Sequence, residues 1–285
     1  MMYGLYIFGV FLAEKVPLRV GYAVARFAAR LYFLFAAETK KKLGENLAAV
    51  LGDESDSRVI TKHVMAVFSN FAKYLTDFFR FDKFTKKYIS ENVEIVGREH
   101  LDGALAQGKG VIALTIHVGN WEMGAAVVGM LKYPISALVL EHADRRVNDF
   151  FVRQRAIFGI RSVPVGIGVK ECFKVLQRNE VLAIAGDKNY TQGGKYVKFF
   201  GQDALVPKGA AVFAVRTGAP IVFTTMIRKK DDTFKLCFEE PIKARLTGNR
   251  DDDVLDLMGR YLRKFEECIR KNPDQWYAFK RIWPL

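Results

Sequence analysis

The sequence predicts an α/β fold: a mostly parallel central sheet flanked by helices, with a helical part ahead of it. Three observations carry this. Val111–Ile116 and Val181–Ala185 are short continuous apolar runs, as strands buried on both faces are. From residue 93 onward, strand-like and helix-like segments alternate, the pattern of a partly parallel sheet. Before that point the periodicity is helical throughout. The expected division is a helical region over residues 1–88 and an α/β domain over 89–285.

Residues 1–13 are almost wholly apolar, and Glu14 and Lys15 end the run. It falls short of the roughly 18 residues of a spanning helix. No cation precedes it, as a signal peptide would require. Val16–Ala37 is helix-forming. Lys15, Arg19, Arg26 and Arg30 form one stripe there, beside Val20, Val24, Phe27, Leu31, Phe33, Leu34 and Phe35. A cationic stripe against an apolar face suits a helix lying in an anionic membrane surface. One tilted span over residues 2–35 is the alternative, and a buried helix with snorkelling arginines is the blander reading. Lys40-Lys41-Lys42 adds charge. Leu43–Leu51 and Ser57–Phe79 read as helices, the second with an aromatic and aliphatic stripe. His63 lies on or beside that stripe and reads as packing.

Val93–Val96 is a predicted strand, Arg98–Ala106 a helix, and Gly108–Gly110 a turn into the central strand. Pro134–Leu140, Ser162–Val165, Ile221–Met226 and Phe234–Phe238 are further strands; Arg146–Phe158, Gly168–Gln177 and Asp251–Arg270 are helices. Pro207 suits a helix start and Gly218 its end. Gly186–Tyr190 follows the second buried strand as a loop carrying Asp187. Gly193-Gly194 lacks the ending of a phosphate-binding loop.

Gly110–Gly124, GVIALTIHVGNWEMG, joins a buried strand to a helix through a tight loop. Ligands bind at strand carboxyl ends in such sheets. Asn120 can cap the helix, which places Glu122 in its first turn. On one helix His117 and Glu122 would stand roughly 140° apart, so they converge only if His117 precedes the helix. That excludes a single-face metal pair. Asp187, beyond a second buried strand, is another partner for His117 if the strands are neighbours. The bland readings are a capped helix and a polar turn.

The chain has 285 residues and a formal charge of +13. Such charge steers anionic partners: a membrane surface, an acidic carrier or nucleic acid. None of the usual nucleic-acid motifs is present, so nucleic acid is not expected as a partner. Cys172, Cys237 and Cys268 are far apart and show neither metal nor disulfide spacing. No bound metal is expected.

Several segments in order resemble the bacterial lipid A biosynthesis acyltransferases and the related phosphatidylinositol mannoside acyltransferases. Ile116–Glu122 is similar to that family's histidine, four residues, acid motif in its HxGNWE form. Phe199-Phe200-Gly201, Pro207-Lys208-Gly209 and Arg216–Pro220 resemble a second block. Pro273-Asp274-Gln275-Trp276, with Lys280-Arg281 and Trp283, resembles the closing motif, and Arg155 with Phe158-Gly159 a further position. The resemblance covers about residues 95–285; the first 90 residues agree only in character. Leu140-Glu141-His142 departs from the family's Tyr-Arg-Pro context, and of Asp187-Lys188-Asn189 only the acid carries over. Val206 replaces a frequent threonine.

The resemblance implies acyl transfer from acyl carrier protein, or coenzyme A, to a hydroxyl of a glycolipid such as a lipid A precursor; the alternatives are the same chemistry on another lipid acceptor (a phosphatidylinositol mannoside, an aminolipid or a lysophospholipid) and a noncatalytic lipid-binding homologue. It implies no cofactor and a place on the cytoplasmic face of a bacterial inner membrane. His117 is then the general base, a task suited to a neutral histidine near pH 7. A carboxylate must hold it in one tautomer. Local sequence favours Glu122 for this, with Asp187 second. Asn120, Trp121, Arg155, Lys188 and Lys208 are the candidate substrate-binding residues: Asn120 toward an oxyanion, Arg155 toward a phosphate.

Overall fold

The computed structural model describes residues 2–52, 56–189 and 193–283. Tyr190, at the end of the predicted Asp187 loop, lies outside them. Four helices come first: α1 (Met2–Lys15), α2 (Leu18–Phe35), α3 (Ala37–Leu51) and α4 (Ser57–Phe79). Pro17 stands before α2, and α1 and α2 are separate helices. A single span over residues 2–35 is therefore not formed: proline lacks the N–H that would continue α1. No single described helix is long and apolar enough to cross a membrane, and α2 and α3 meet at a 98° bend. Val20, Val24, Phe27, Leu31, Leu34 and Phe35 of α2 are exposed, as are Arg19, Arg26 and Arg30. α4 has the predicted bounds, with Asp56 as N-cap accepting from the Arg58 N–H at 2.8 Å.

The sheet is built from β1 (Val93–Val96), β2 (Val111–Thr115), β3 (Ile135–Val139), β4 (Arg161–Pro164), β5 (Val181–Ala185), β8 (Ile221–Arg228) and β9 (Phe234–Phe238). Between β5 and β8 the chain also forms a hairpin, β6 (Gly194–Phe199) with β7 (Gln202–Pro207). The seven-stranded order is β1-β9-β8-β2-β5-β3-β4. The five strands from β8 to β4 are parallel; β9 is antiparallel to β8 and carries β1 with it. Three strands in the middle of the order, β8, β2 and β5, are almost wholly buried. That is why their sequences are apolar runs rather than alternations.

Helices cover both faces: α5 (Lys86–Asn92), α6 (Arg98–Leu105), α7 (Trp121–Met130), α8 (Arg145–Ala156), α9 (Val169–Gln177), α10 (Gly209–Thr217) and α11 (Arg250–Lys271). One apolar core, with Val175, Phe213, Leu257 and Phe265, fills the side of α9, α10 and α11. Another, with Phe78, Leu101, Val127 and Phe151, fills the side of α6, α7 and α8. A third joins α2, α3 and α4 to Tyr277 and Phe279 of the C-terminal tail.

Two elements differ from expectation. Pro207 ends β7, and the helix starts at Gly209. The hairpin itself turns on Phe200 and Gly201, both at positive φ (50° and 77°), which a phenylalanine does not advertise.

Candidate active site

The parallel register of β2 and β5 builds the site. Thr115 pairs with Ala185, so the residues two positions beyond each strand, His117 and Asp187, emerge side by side at the carboxyl edge. His117 Nδ1 lies 2.6 Å from Asp187 Oδ1. The His117 backbone N–H donates to the same oxygen at 3.2 Å, and the Trp276 indole N–H donates to Oδ2 at 3.0 Å. A buried carboxylate with donors on both oxygens stays ionised and accepts from the ring. Nδ1 therefore carries the proton, and Nε2 keeps its lone pair.

The charges agree. Burial by itself would raise the Asp187 pKa, but the facing imidazole, the Lys188 ammonium and the Trp276 N–H hold it well below the usual carboxylate range. Burial lowers the His117 pKa below 6.5, Asp187 opposes this, and Lys188 adds to it. Lys188 donates to the Tyr277 carbonyl at 2.7 Å, and burial brings it down to about 8.

Glu122 is not the partner of His117. It forms a two-pronged pair with Arg155 of α8, at 2.9 and 2.6 Å, with both side chains about nine-tenths buried. The local-sequence expectation is corrected here. As the second residue of α7, Glu122 turns toward α8, while sheet register rather than chain proximity chooses the acid beside His117. The same pair engages Nε and Nη2 of Arg155, so that side of its guanidinium faces a carboxylate.

Asn120 is also committed. Its side-chain oxygen caps α7 by accepting from the Met123 N–H at 3.0 Å, and its amide donates to Asp77 at 2.9 Å. At 1% exposure it supports the loop rather than facing an oxyanion. The loop has no slack. Gly119 has φ +66°, and a Cβ there would strike the Met226 carbonyl oxygen. The Gly119 N–H donates to the Gln275 carbonyl at 3.0 Å and the Asn120 N–H to the Met226 carbonyl at 2.8 Å. Trp121 meets the His117 ring edge-on at 4.9 Å and stacks on Tyr74 at 4.5 Å. Lys208 stands at the N-cap of α10.

Sequence reasoning missed Asp77. It is fully buried on α4 and accepts from Tyr22 of α2, Arg228 of β8 and Asn120. The signal was a lone acid within an aromatic stripe, since a buried charge requires partners. Among the described residues no group of three or more His, Cys, Asp or Glu side chains is placed to hold a metal ion.

The profile of the bacterial lipid A biosynthesis acyltransferases matches residues 1–284. The chain belongs to this family. Family membership makes it an acyltransferase. It is 27% identical over 265 residues to the phosphatidylinositol mannoside acyltransferase of Mycolicibacterium smegmatis, covering 92% of this chain and 83% of that one. The corresponding Mycobacterium tuberculosis protein is 27% identical over 250 residues, covering 85% and 77%. The lipid A biosynthesis palmitoleoyltransferase of Escherichia coli is 25% identical over 194 residues, covering 66% and 60%. As an acyltransferase, the chain needs an acyl donor and a lipid acceptor.

Proposed function

We propose that the protein moves a fatty acyl chain from a thioester to a hydroxyl of a phosphorylated, membrane-resident glycolipid of the phosphatidylinositol mannoside kind. The observation that carries the chemistry is the 2.6 Å contact between His117 Nδ1 and Asp187, which leaves Nε2 as the proton acceptor. As the acceptor oxygen attacks the thioester carbon, its proton passes to Nε2. Asp187 stabilises the imidazolium without taking the proton. The tetrahedral oxyanion is met by the backbone N–H groups of Trp121 and Glu122, which open α7 and lack intrahelical acceptors. Collapse expels the thiolate, which regains the proton from His117. The products are an ester and a free thiol, and no covalent enzyme intermediate is needed.

Glu122, with Arg155, acts as a positioning residue in this scheme: the pair fixes α7 against α8. Lys188 supplies positive charge beside the base. Lys208 contacts an anionic part of a substrate. The relatives named for phosphatidylinositol mannoside acylation align over more of the chain than the one named for lipid A, which favours the former acceptor class. The donor is acyl carrier protein, an acidic partner for a chain of net charge +13, or coenzyme A. The exposed apolar and cationic face of α2 seats residues 1–88 on the cytoplasmic face of the inner membrane, and residues 89–285 carry the chemistry.

The test is transfer from labelled acyl thioesters to phosphatidylinositol dimannoside and to a lipid A precursor, side by side. Labelling of the mannoside, lost in a folded His117→Gln protein, is expected. Exclusive labelling of the lipid A precursor would restore that acceptor.

A further inference from the structure

A groove of about 650 Å3 runs among α1, α2 and α4. Gly21, Ala25 and Ala28 of α2 form its small-residue side; Phe71, Leu75 and Phe279 wall the other. Thr76, a buried hydroxyl on the wall, is already spent, donating to the Ala72 carbonyl at 2.9 Å. A space of this size and chemistry holds hydrocarbon.

Two observations say whose hydrocarbon. The helices that form the groove expose Phe8, Phe11, Phe27, Leu31 and Leu34 on their outer faces, beside exposed Arg19, Arg26 and Arg30. That surface suits a bilayer with anionic head groups, so the groove lies where a lipid chain enters from the membrane. The second observation is the aromatic partition between groove and base. Phe71 meets Tyr277 and Tyr74 ring to ring at 5.3 and 5.4 Å, these meet Trp121 at 5.9 and 4.5 Å, and Trp121 meets His117 at 4.9 Å. A donor must place its thioester carbon about 3–3.5 Å from the attacking oxygen, and its chain starts at that carbon. An acceptor is built the other way: a sugar head group separates its reacting hydroxyl from its chains.

We infer that this groove takes one acyl chain of the bilayer-resident acceptor, with the acceptor's head group spanning the aromatic partition to His117. The inference rests on the acyl-transfer reading above. It makes the groove a determinant of acceptor selection, distinct from the place where the donor chain lies.

Ala25→Leu combined with Ala28→Leu fills the groove while keeping good helix formers on α2. The KM of two-chain phosphatidylinositol dimannoside, relative to that of its deacylated water-soluble head group, should rise about ten-fold, as when two methylene groups lose their burial. Donor chain-length preference should stay as it is. A changed donor preference, or an unchanged KM ratio, overturns the inference. A wild-type protein that acylates neither acceptor would instead count against the proposed function. Binding separates the two cases. Two-chain lipid in mixed micelles should bind the inactive His117→Gln protein about ten-fold more tightly than the same protein carrying both leucines. Equal binding overturns the groove assignment whatever the true acceptor.

Discussion

Replacing Asp187 with asparagine tests the arrangement at its narrowest point. The carboxylate accepts three hydrogen bonds, from His117 Nδ1, the His117 backbone N–H and the Trp276 indole. Asparagine has one oxygen for these donors. If that oxygen stays with Trp276, the amide N–H2 faces His117, Nδ1 must become an acceptor, and the proton moves to Nε2. The base then has no lone pair where the acceptor hydroxyl arrives. If the oxygen stays with His117, the amide confronts the Trp276 N–H and leaves it unpaired. The first outcome costs turnover: a wrong tautomer in an equivalent histidine–carboxylate pair lowers kcat by roughly 10⁴. Either outcome leaves a buried donor unsatisfied, about 1–3 kcal/mol of stability. The assay is single-turnover transfer of a labelled acyl group, with thermal unfolding of the same preparation. Expected is a kcat loss of about 10³–10⁴ with a cooperative transition a few degrees lower. Asp187→Asn turnover within ten-fold of wild type, with Glu122→Gln inactive and folded, would refute the assignment.

Further expectations follow from the same contacts. Glu122→Gln strands the buried Arg155 guanidinium and should destabilise the fold by about 3–5 kcal/mol, while turnover per folded molecule falls less than about ten-fold; denaturant titration beside kcat measurement separates the two. Trp276→Phe removes one donor from Asp187 and should lower kcat by about ten-fold, with the acid limb of the pH profile moving upward as the carboxylate becomes a stronger partner for the imidazolium. In wild type, the base works only when neutral. Activity should therefore rise with pH through a value below 6.5 and fall again near 8, where Lys188 loses its charge; Lys188→Met should abolish the upper limb. Gly119→Ala must move the loop off the Met226 carbonyl, and transfer by the folded fraction should be lost.

Much of this architecture was legible in the sequence because it rests on local signals. The buried runs of β2 and β5, the aromatic stripe of α4 and the cap at Asn120 are written in consecutive residues. The hairpin of β6 and β7 was not, because its turn puts Phe200, rather than an asparagine or glycine, at positive φ. The site divides in the same way. His117 and both acids were visible as residues at strand ends and helix starts. Which acid faces the imidazole was not, because β5 sits beside β2 through crossovers that no local pattern encodes. Glu122, five residues away, turns to α8, and Asp187, seventy residues away, takes its place. The neighbours of Asp77 were equally hidden, since Tyr22, Arg228 and Asn120 come from three distant segments.

The central claim is that His117 rests with its proton on Nδ1 and its lone pair on Nε2, held so by Asp187. Nitrogen NMR of ring-labelled histidine, with the His117 signals assigned by comparison with His117→Gln, reads this directly. The account predicts a protonated Nδ1, an unprotonated Nε2 and a pKa below 6.5 in the wild type, with the pattern inverted in Asp187→Asn. A wild-type His117 protonated at Nε2, or a tautomer indifferent to Asp187→Asn, would contradict it.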